Sequence, residues 1–358
     1  MDLVILISLL HAGMLSVAIL GCLMFFSVPA YRGVCVLLML VSAASIFNVL
    51  EDLHISRELH LVSPIFVLSY GPALYFAVKR LIGGPIGSQA FWHFLPILLV
   101  LPFTAHTQII IAIGTVWRIA YAILTIQLII TFNRKLSKQR SDANEVSLAW
   151  LGWLIGISTL FSAIDLLRLN VQPELGMQLN MLGYAVSSLI FFIVILLLIL
   201  ILNNRRAGLE TLAGSIDTGS ELTKTESKKN EESAADYQSL FAIFDREMRE
   251  QKWYCQPRLT LTQLSDLCGL STRDISRSIN LVAGVSFNDY VNLHRIEQIK
   301  RRIHEENINF TNLAFASGFS SKATFNQSFK KATGMTPSEF RSVKLAKGLQ
   351  NQDAVDGV

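Results

Sequence analysis

Hydrophobic and polar positions divide this chain near Asn203. Before that point Leu, Ile, Val, Phe and Ala follow one another with almost no polar face at helical spacing. After it charged residues crowd in, and the apolar ones take up the three- and four-residue rhythm of amphipathic helices. A helix that is apolar all round belongs in hydrocarbon or in a large core. Crossing a bilayer takes roughly 20 such residues. Seven segments fit: 3–26, 33–50, 61–82, 91–103, 108–132, 146–169 and 179–202. The fourth is short and holds Pro96 and Pro102, so it is expected as a tilted span or a re-entrant piece. The last, with "LIFFIVILLLILIL", is the clearest.

The loops predict an orientation. Arg32, Lys79, Arg80, Arg134, Lys135, Lys138, Arg140, Arg205 and Arg206 all fall on one side of a seven-span arrangement. The opposite side carries Arg57 and Arg168, with the acids Glu51, Asp52, Glu58 and Glu174. Basic loops stay in the cytoplasm. The N-terminus is therefore expected outside and the C-terminus inside. Asp2 is the only charge before the first apolar run, so no cleaved signal peptide is expected.

A charge placed in hydrocarbon costs roughly 2.5–3.5 kcal/mol on insertion scales, so such residues face a bundle interior or a partner. His11, Glu51, Asp52, Arg118, Asp165 and Arg168 lie in or near the spans. Arg118 is expected to pair with Asp165 or another of these acids. His11, Glu51, Asp52, Arg118 and Asp165 would then line an outward-facing ligand pocket. A purely structural ion pair, or snorkelling to the interface, is the alternative. Gly152 and Gly156 have the spacing that lets helices approach closely.

A length of 358 residues allows two or three domains. The 51% hydrophobic and 16% charged residues, and the mean hydropathy of +0.44, are averages over two unlike halves. Cys22, Cys35, Cys255 and Cys268 show no metal-ligand spacing, so reduced packing cysteines and no metal are expected. No phosphate-binding loop, GxSxG or HExxH occurs, and "HEEN" at His304 lacks the second His. No catalytic residue and no cofactor is expected. The stretch "AGSIDTGSELTKTESKKNEESAAD", from Ala213 to Asp236, reads as a flexible linker. About 30 residues of that kind reach roughly 30 Å.

From Tyr237 onward an internal repeat appears. "LTQLSDLCGLSTRDISRSINLVAG" begins at Leu261 and "FTNLAFASGFSSKATFNQSFKKATG" at Phe310. Leu264 matches Leu313, Gly269 matches Gly318, and Leu270-Ser271 matches Phe319-Ser320. After one inserted residue Ile275 matches Phe325, Ile279 matches Phe329, Gly284 matches Gly334 and Tyr290 matches Phe340. Each repeat has the anatomy of a helix-turn-helix: a short anchored helix, a turn glycine, a serine N-cap and a second helix. Ser271 and Ser320 are the expected caps. The outer face of the second helix carries Thr272, Arg273, Ser276, Arg277 and Asn280 in the first repeat. In the second it carries Ser321, Lys322, Thr324, Asn326, Gln327 and Lys330. Arg and Lys suit guanine and Asn and Gln suit adenine in a major groove. A long helix over 287–305 is expected to space the two units.

These repeats resemble the DNA-binding domain of the AraC/XylS family of bacterial transcription regulators, through "LAFASGF" and "SFKKATGMTPSEFR". The resemblance covers about a hundred residues and implies two helix-turn-helix units in successive major grooves. It places base reading at Arg273, Arg277, Lys322, Asn326 and Gln327. The first unit lacks the basic pair found at Lys330-Lys331. "LSYGPALYFAVKRLIG" with "FWHFLPILLVLP" is similar to a seven-span sensor region fused to such domains.

The expected architecture is all-α. A seven-helix transmembrane sensor bundle (1–205) and a linker (206–236) precede a cytoplasmic domain of two helix-turn-helix units (237–345) and a disordered tail (346–358). The expected function is that of a one-component transcription regulator in the bacterial inner membrane. Its expected partners are double-stranded DNA, the lipid bilayer, a small-molecule or membrane signal, a second copy as a homodimer, and RNA polymerase if it activates. Dimerisation is the expected route of signal transfer, because a soft linker transmits no push. The rival is a membrane enzyme or transporter with a DNA-binding tail.

Overall fold

A computed structural model describes residues 3–53, 55, 62–172, 174, 176–206, 234–303 and 309–344. All regular structure among them is helical, with one isolated antiparallel bridge between Arg140 and Thr260. The chain divides into two compact units. One comprises Met1–Phe132 with Leu148–Lys224, the other Asn133–Ser147 with Thr225–Val358. The expected linker (for residues 207–233), the tail, Arg57, Glu58 and His304 lie outside the described residues.

The first unit is built from α1 (Leu3–Phe25), α2 (Arg32–Asp52), α3 (Val67–Leu81), α4 (Leu95–Val100) and α5 (Thr107–Gln139), whose last residues, from Asn133 on, belong to the second unit. A short turn, α6 (Ala143–Val146), belongs to the second unit. Two more long helices, α7 (Ala149–Val171) and α8 (Met177–Asn204), complete the first. Five helical stretches among the described residues are long and apolar enough to cross a membrane: Leu3–Phe25, Pro29–Asp52, Ser88–Gln139, Ala143–Val171 and Met177–Asn204. Their outward residues are apolar too, with Leu23, Leu160 and Trp153 well exposed.

The expected third and fourth spans take a different form. The third is the 15-residue α3 behind a tight turn at Ser63–Phe66. The fourth breaks into Ser88–Phe94, α4 and Leu101–His106, where Pro96 and Pro102 each stand at the start of a piece. Proline lacks the N–H that would carry an α-helix across these points. Close helix approach also lies elsewhere than expected. A Cβ on Gly33 would come 2.7 Å from the Ala77 Cα, so α2 and α3 meet backbone to backbone. At Gly152 and Gly156 nothing described lies within 4 Å, so their spacing joins no pair of helices in this unit.

The second unit holds α9 (Ala234–Glu250), α10 (Leu261–Cys268), α11 (Thr272–Ser278), α12 (Phe287–Arg302), α13 (Phe310–Ala316) and α14 (Lys322–Thr333). Two hydrophobic cores share α12. Its first half gives Phe287, Tyr290 and Val291 to a core with Phe244, Leu264, Ile275 and Ile279. Its second half gives Ile296 and Ile299 to a core with Leu313, Phe319, Phe325 and Phe329. The expected spacer helix therefore welds the two repeats, and α9 closes the first core. α12 ends at Arg302, and Glu305 lies outside the described residues.

Caps set the boundaries. Thr260 and Gln263 form a reciprocal capping box at α10. Ser271 caps α11 and Ser286 caps α12, each accepting from the backbone N–H three residues on. Thr336 and Glu339 repeat that box before the last helix, residues 337–344. In the second repeat the cap of α14 is Ser321 and not Ser320. The inserted residue moves the cap one place, which frees the Ser320 hydroxyl for another partner.

Candidate nucleic-acid interface and cavity

Both second helices present the expected polar face. On α11 and the π-helical turn after it, Thr272, Arg273, Arg277 and Asn280 are exposed and Ser276 is half-buried. Ile275 and Ile279 turn inward, fixing the helix about its axis. Arg277 is partly engaged: its guanidinium donates to the Tyr237 hydroxyl at 3.2 Å and lies over that ring. On α14, Lys322, Asn326, Gln327 and Lys330 are exposed, while Phe325 and Phe329 anchor the opposite side. Thr324 leaves this face. It is buried, and its hydroxyl accepts from Ser321, whose oxygen also takes the Thr324 N–H at 3.2 Å. Ser321 likewise serves as a cap.

The junction between the repeats is polar and buried. Arg295, 1% exposed, donates to the Tyr254 carbonyl at 2.7 Å, the Gln256 carbonyl at 2.8 Å and Asn292 Oδ1 at 3.0 Å. Its remaining bond, at 3.2 Å, goes to the Ser141 hydroxyl. Burial lowers the guanidinium pKa to about 10, against the pull of Asp142, Cys255 and Glu145. Gly318 sits at φ +95°, and a Cβ there would lie 2.6 Å from the Tyr254 carbonyl oxygen. A second network ties α9 to α12. Asp245 accepts from the Tyr290 hydroxyl at 2.9 Å and meets His294 Nε2 at 3.1 Å and Arg249 at 2.7 Å. Burial raises its pKa, but the hydrogen bonds from His294 and Tyr290 outweigh that and hold the carboxyl below its usual range.

In the first unit, His11, Glu51, Asp52, Arg118 and Asp165 all line one cavity of about 630 Å³. Their partners differ from expectation. Asp165 pairs with Arg168 at 2.8 Å, one turn along the same helix, and not with Arg118. Arg168 is held further by Asn180. Arg118 instead lies 5.0 Å from the centre of the Phe191 ring and 5.9 Å from that of Tyr70, without an ion pair among the described residues. Glu51 accepts from the backbone N–H groups of Val62 and Ser63 at 2.7 and 2.9 Å and so caps the turn before α3. His11 Nε2 meets the Tyr184 hydroxyl at 3.1 Å. Tyr70, Tyr184 and Phe191 escaped the sequence reading because uncharged aromatics are unremarkable in an apolar span.

Two capped helix-turn-helix units welded by one helix define the C-terminal domain as a helix-turn-helix DNA-binding domain. Comparison with known proteins agrees. Residues 264–342 match a family model described as a helix-turn-helix domain. An uncharacterized HTH-type transcriptional regulator of Staphylococcus aureus (strain COL) is 33% identical over 96 residues, 27% of this chain and 13% of that protein. A counterpart from strain MSSA476 matches over the same shares at the same identity. The bifunctional transcriptional activator/DNA repair enzyme AdaA of Bacillus subtilis is 29% identical over 94 residues, 26% of this chain and 44% of its own length. The match thus spans about one-eighth of the staphylococcal relatives and less than half of AdaA. No solved structure matches the chain.

Proposed function

We infer that this chain is a membrane-embedded one-component transcription regulator of the AraC type, reading promoter DNA with both helix-turn-helix units. The observation that carries this is the pair of exposed polar and basic faces, on α11 and α14, held by two cores on one shared helix. Arg273, Arg277, Asn280, Lys322, Asn326 and Gln327 are its base-reading side chains, and Lys330 is a phosphate contact. The five long apolar stretches support membrane embedding. Seven crossings, with the C-terminus in the cytoplasm, remain our reading of the charge pattern. The 15 residues of α3 give about 22 Å, and the four-residue turn before it adds about 8 Å, close to the hydrocarbon thickness of roughly 30 Å. The cavity is where the bundle receives its signal, and Arg118 is the cation it offers to an anionic group.

Genome-wide DNA occupancy of the intact, membrane-retained chain tests the reading, beside a variant with Arg273, Lys322 and Gln327 changed to Ala. Each lost base contact costs about 1–3 kcal/mol, so peaks in the wild type should vanish in the variant. Peaks that persist unchanged would show that these faces do not read DNA.

A further inference from the structure

The residues between α5 and α7 do more than connect two apolar helices. They cluster with the second unit. Ser141 is fully buried and Arg140 and Asp142 nearly so. The Ser141 N–H donates to the Leu259 carbonyl at 2.9 Å, and Arg140 bridges Thr260, the cap of α10. From α12, Asn288 Nδ2 donates to the Ser141 carbonyl at 2.7 Å, and Arg295 reaches the Ser141 hydroxyl. From the turn of the second repeat, Ser320 donates to Glu145 at 2.9 Å. One short segment thus touches the first repeat, the shared helix and the second repeat. Internally it is braced by a two-bonded ion pair from Arg140 to Asp142, at 2.8 and 3.0 Å. Arg258, beside Leu259, adopts φ +56° and brings its guanidinium to 3.9 Å from Asp142. A non-glycine residue held in that conformation marks a surrounding structure that over-determines it.

We propose that residues 140–146 are a docking element that clamps both helix-turn-helix units, so that the bundle controls DNA binding through this segment as well as through the linker. The element follows Gln139, the last residue of α5, directly, and Leu148 alone separates Ser147 from Ala149, the first residue of α7. A shift or rotation of either helix must therefore pull on it. Two recognition helices reading one face of DNA need a fixed separation of about 34–36 Å, and an element touching both repeats is placed to set it. Interfaces of this kind switch between discrete packings, which suits a regulator. The proposal rests on the reading that the module binds DNA.

The test uses the full chain in membrane vesicles, with Cys22, Cys35, Cys255 and Cys268 first changed to Ala, then Glu145→Cys and Ser320→Cys added, and a short bis-maleimide cross-linker. A protease site placed within 213–236 separates the two parts, so that only cross-linked chains still migrate together. We expect cross-linking well above single-cysteine controls, and at least a fivefold fall on adding Asp142→Arg, which sets a third cation against Arg140 and Arg258. In cells, promoter occupancy of the Asp142→Arg chain should change at least threefold in either direction. Asp142→Asn, which keeps the side-chain shape, should lie between and serves if the reversal fails to accumulate. Cross-linking no better than the controls overturns the docking. So does a lost cross-link with occupancy within twofold of wild type. The triple variant of Arg273, Lys322 and Gln327 should keep the cross-link while losing its peaks. If it keeps both, the DNA reading fails and the docking stands.

Discussion

Gly269 and Gly318 occupy matching places in the two repeats, yet alanine should affect them very differently. Gly269 has φ +68° and open space where a Cβ would go. Gly269→Ala meets only the left-handed backbone cost, roughly 1–2 kcal/mol. Gly318 has φ +95°, and its Cβ would stand 2.6 Å from the Tyr254 oxygen and 2.8 Å from the Cys255 carbonyl carbon and oxygen. These are backbone atoms, and the Tyr254 carbonyl is also fixed by Arg295 at 2.7 Å. Relief requires the second repeat to move away from the turn at Trp253–Cys255. Overpacking of that kind adds about 1–3 kcal/mol, for a total of about 2–5 kcal/mol. For a domain near 100 residues each kcal/mol shifts Tm by about 4–8 °C. Gly318→Ala should therefore lower the unfolding temperature of the C-terminal domain by at least about 8 °C, and by more than Gly269→Ala does. Hydrogen exchange of residues 261–333 in the detergent-solubilised full chain, followed with temperature, reads this directly. Promoter DNA affinity should also fall more for Gly318→Ala, because the spacing of α11 and α14 changes. Equal losses at the two glycines would refute the close approach at Tyr254 and Cys255.

Four further outcomes follow from the same structure. Arg118→Met should leave the bundle as stable as wild type or slightly more so. Removing a cation without an ion pair among the described residues relieves roughly 2.5–3.5 kcal/mol against a ring contact of up to about 2 kcal/mol. Arg168→Gln, which strips Asp165 of its ion-pair partner and leaves it the Ser187 hydroxyl, should cost about 1.5–3 kcal/mol, and thermal aggregation in detergent separates the two cases. Asp245 has a lowered folded-state pKa, so its contribution is fully present above the unfolded value near pH 3.9. That contribution is lost as pH falls through the folded value, and Asp245→Asn should flatten this acid limb of the domain's unfolding curve. Lys330→Ala should weaken DNA binding about equally across sequences and reduce the salt slope by about 1, measured by titration at several salt concentrations.

Much of this protein was legible in its order of residues. The all-helical class, the apolar first half, the repeat and the alternation of anchors with polar positions on α11 and α14 are local properties, fixed by helical periodicity and short-range caps. Pro96 and Pro102 marked the fourth segment as irregular, and its division into three pieces is what the structure adds. The partners of charged and polar side chains were another matter. Arg118 was expected to meet Asp165 or another acid, and only packing showed Arg168 claiming Asp165 from the next turn of the same helix while two rings took Arg118. Gly152 and Gly156 had the right spacing but no neighbour among the described residues, because approach depends on the second helix as much as on the first. Ser320 was the expected cap and Ser321 an expected part of the polar face, and the register of α14 gave the cap to Ser321. The segment at 140–146 read as another basic loop. Its burial against α12 depends on residues some 150 positions further along the chain, a separation that no local pattern encodes.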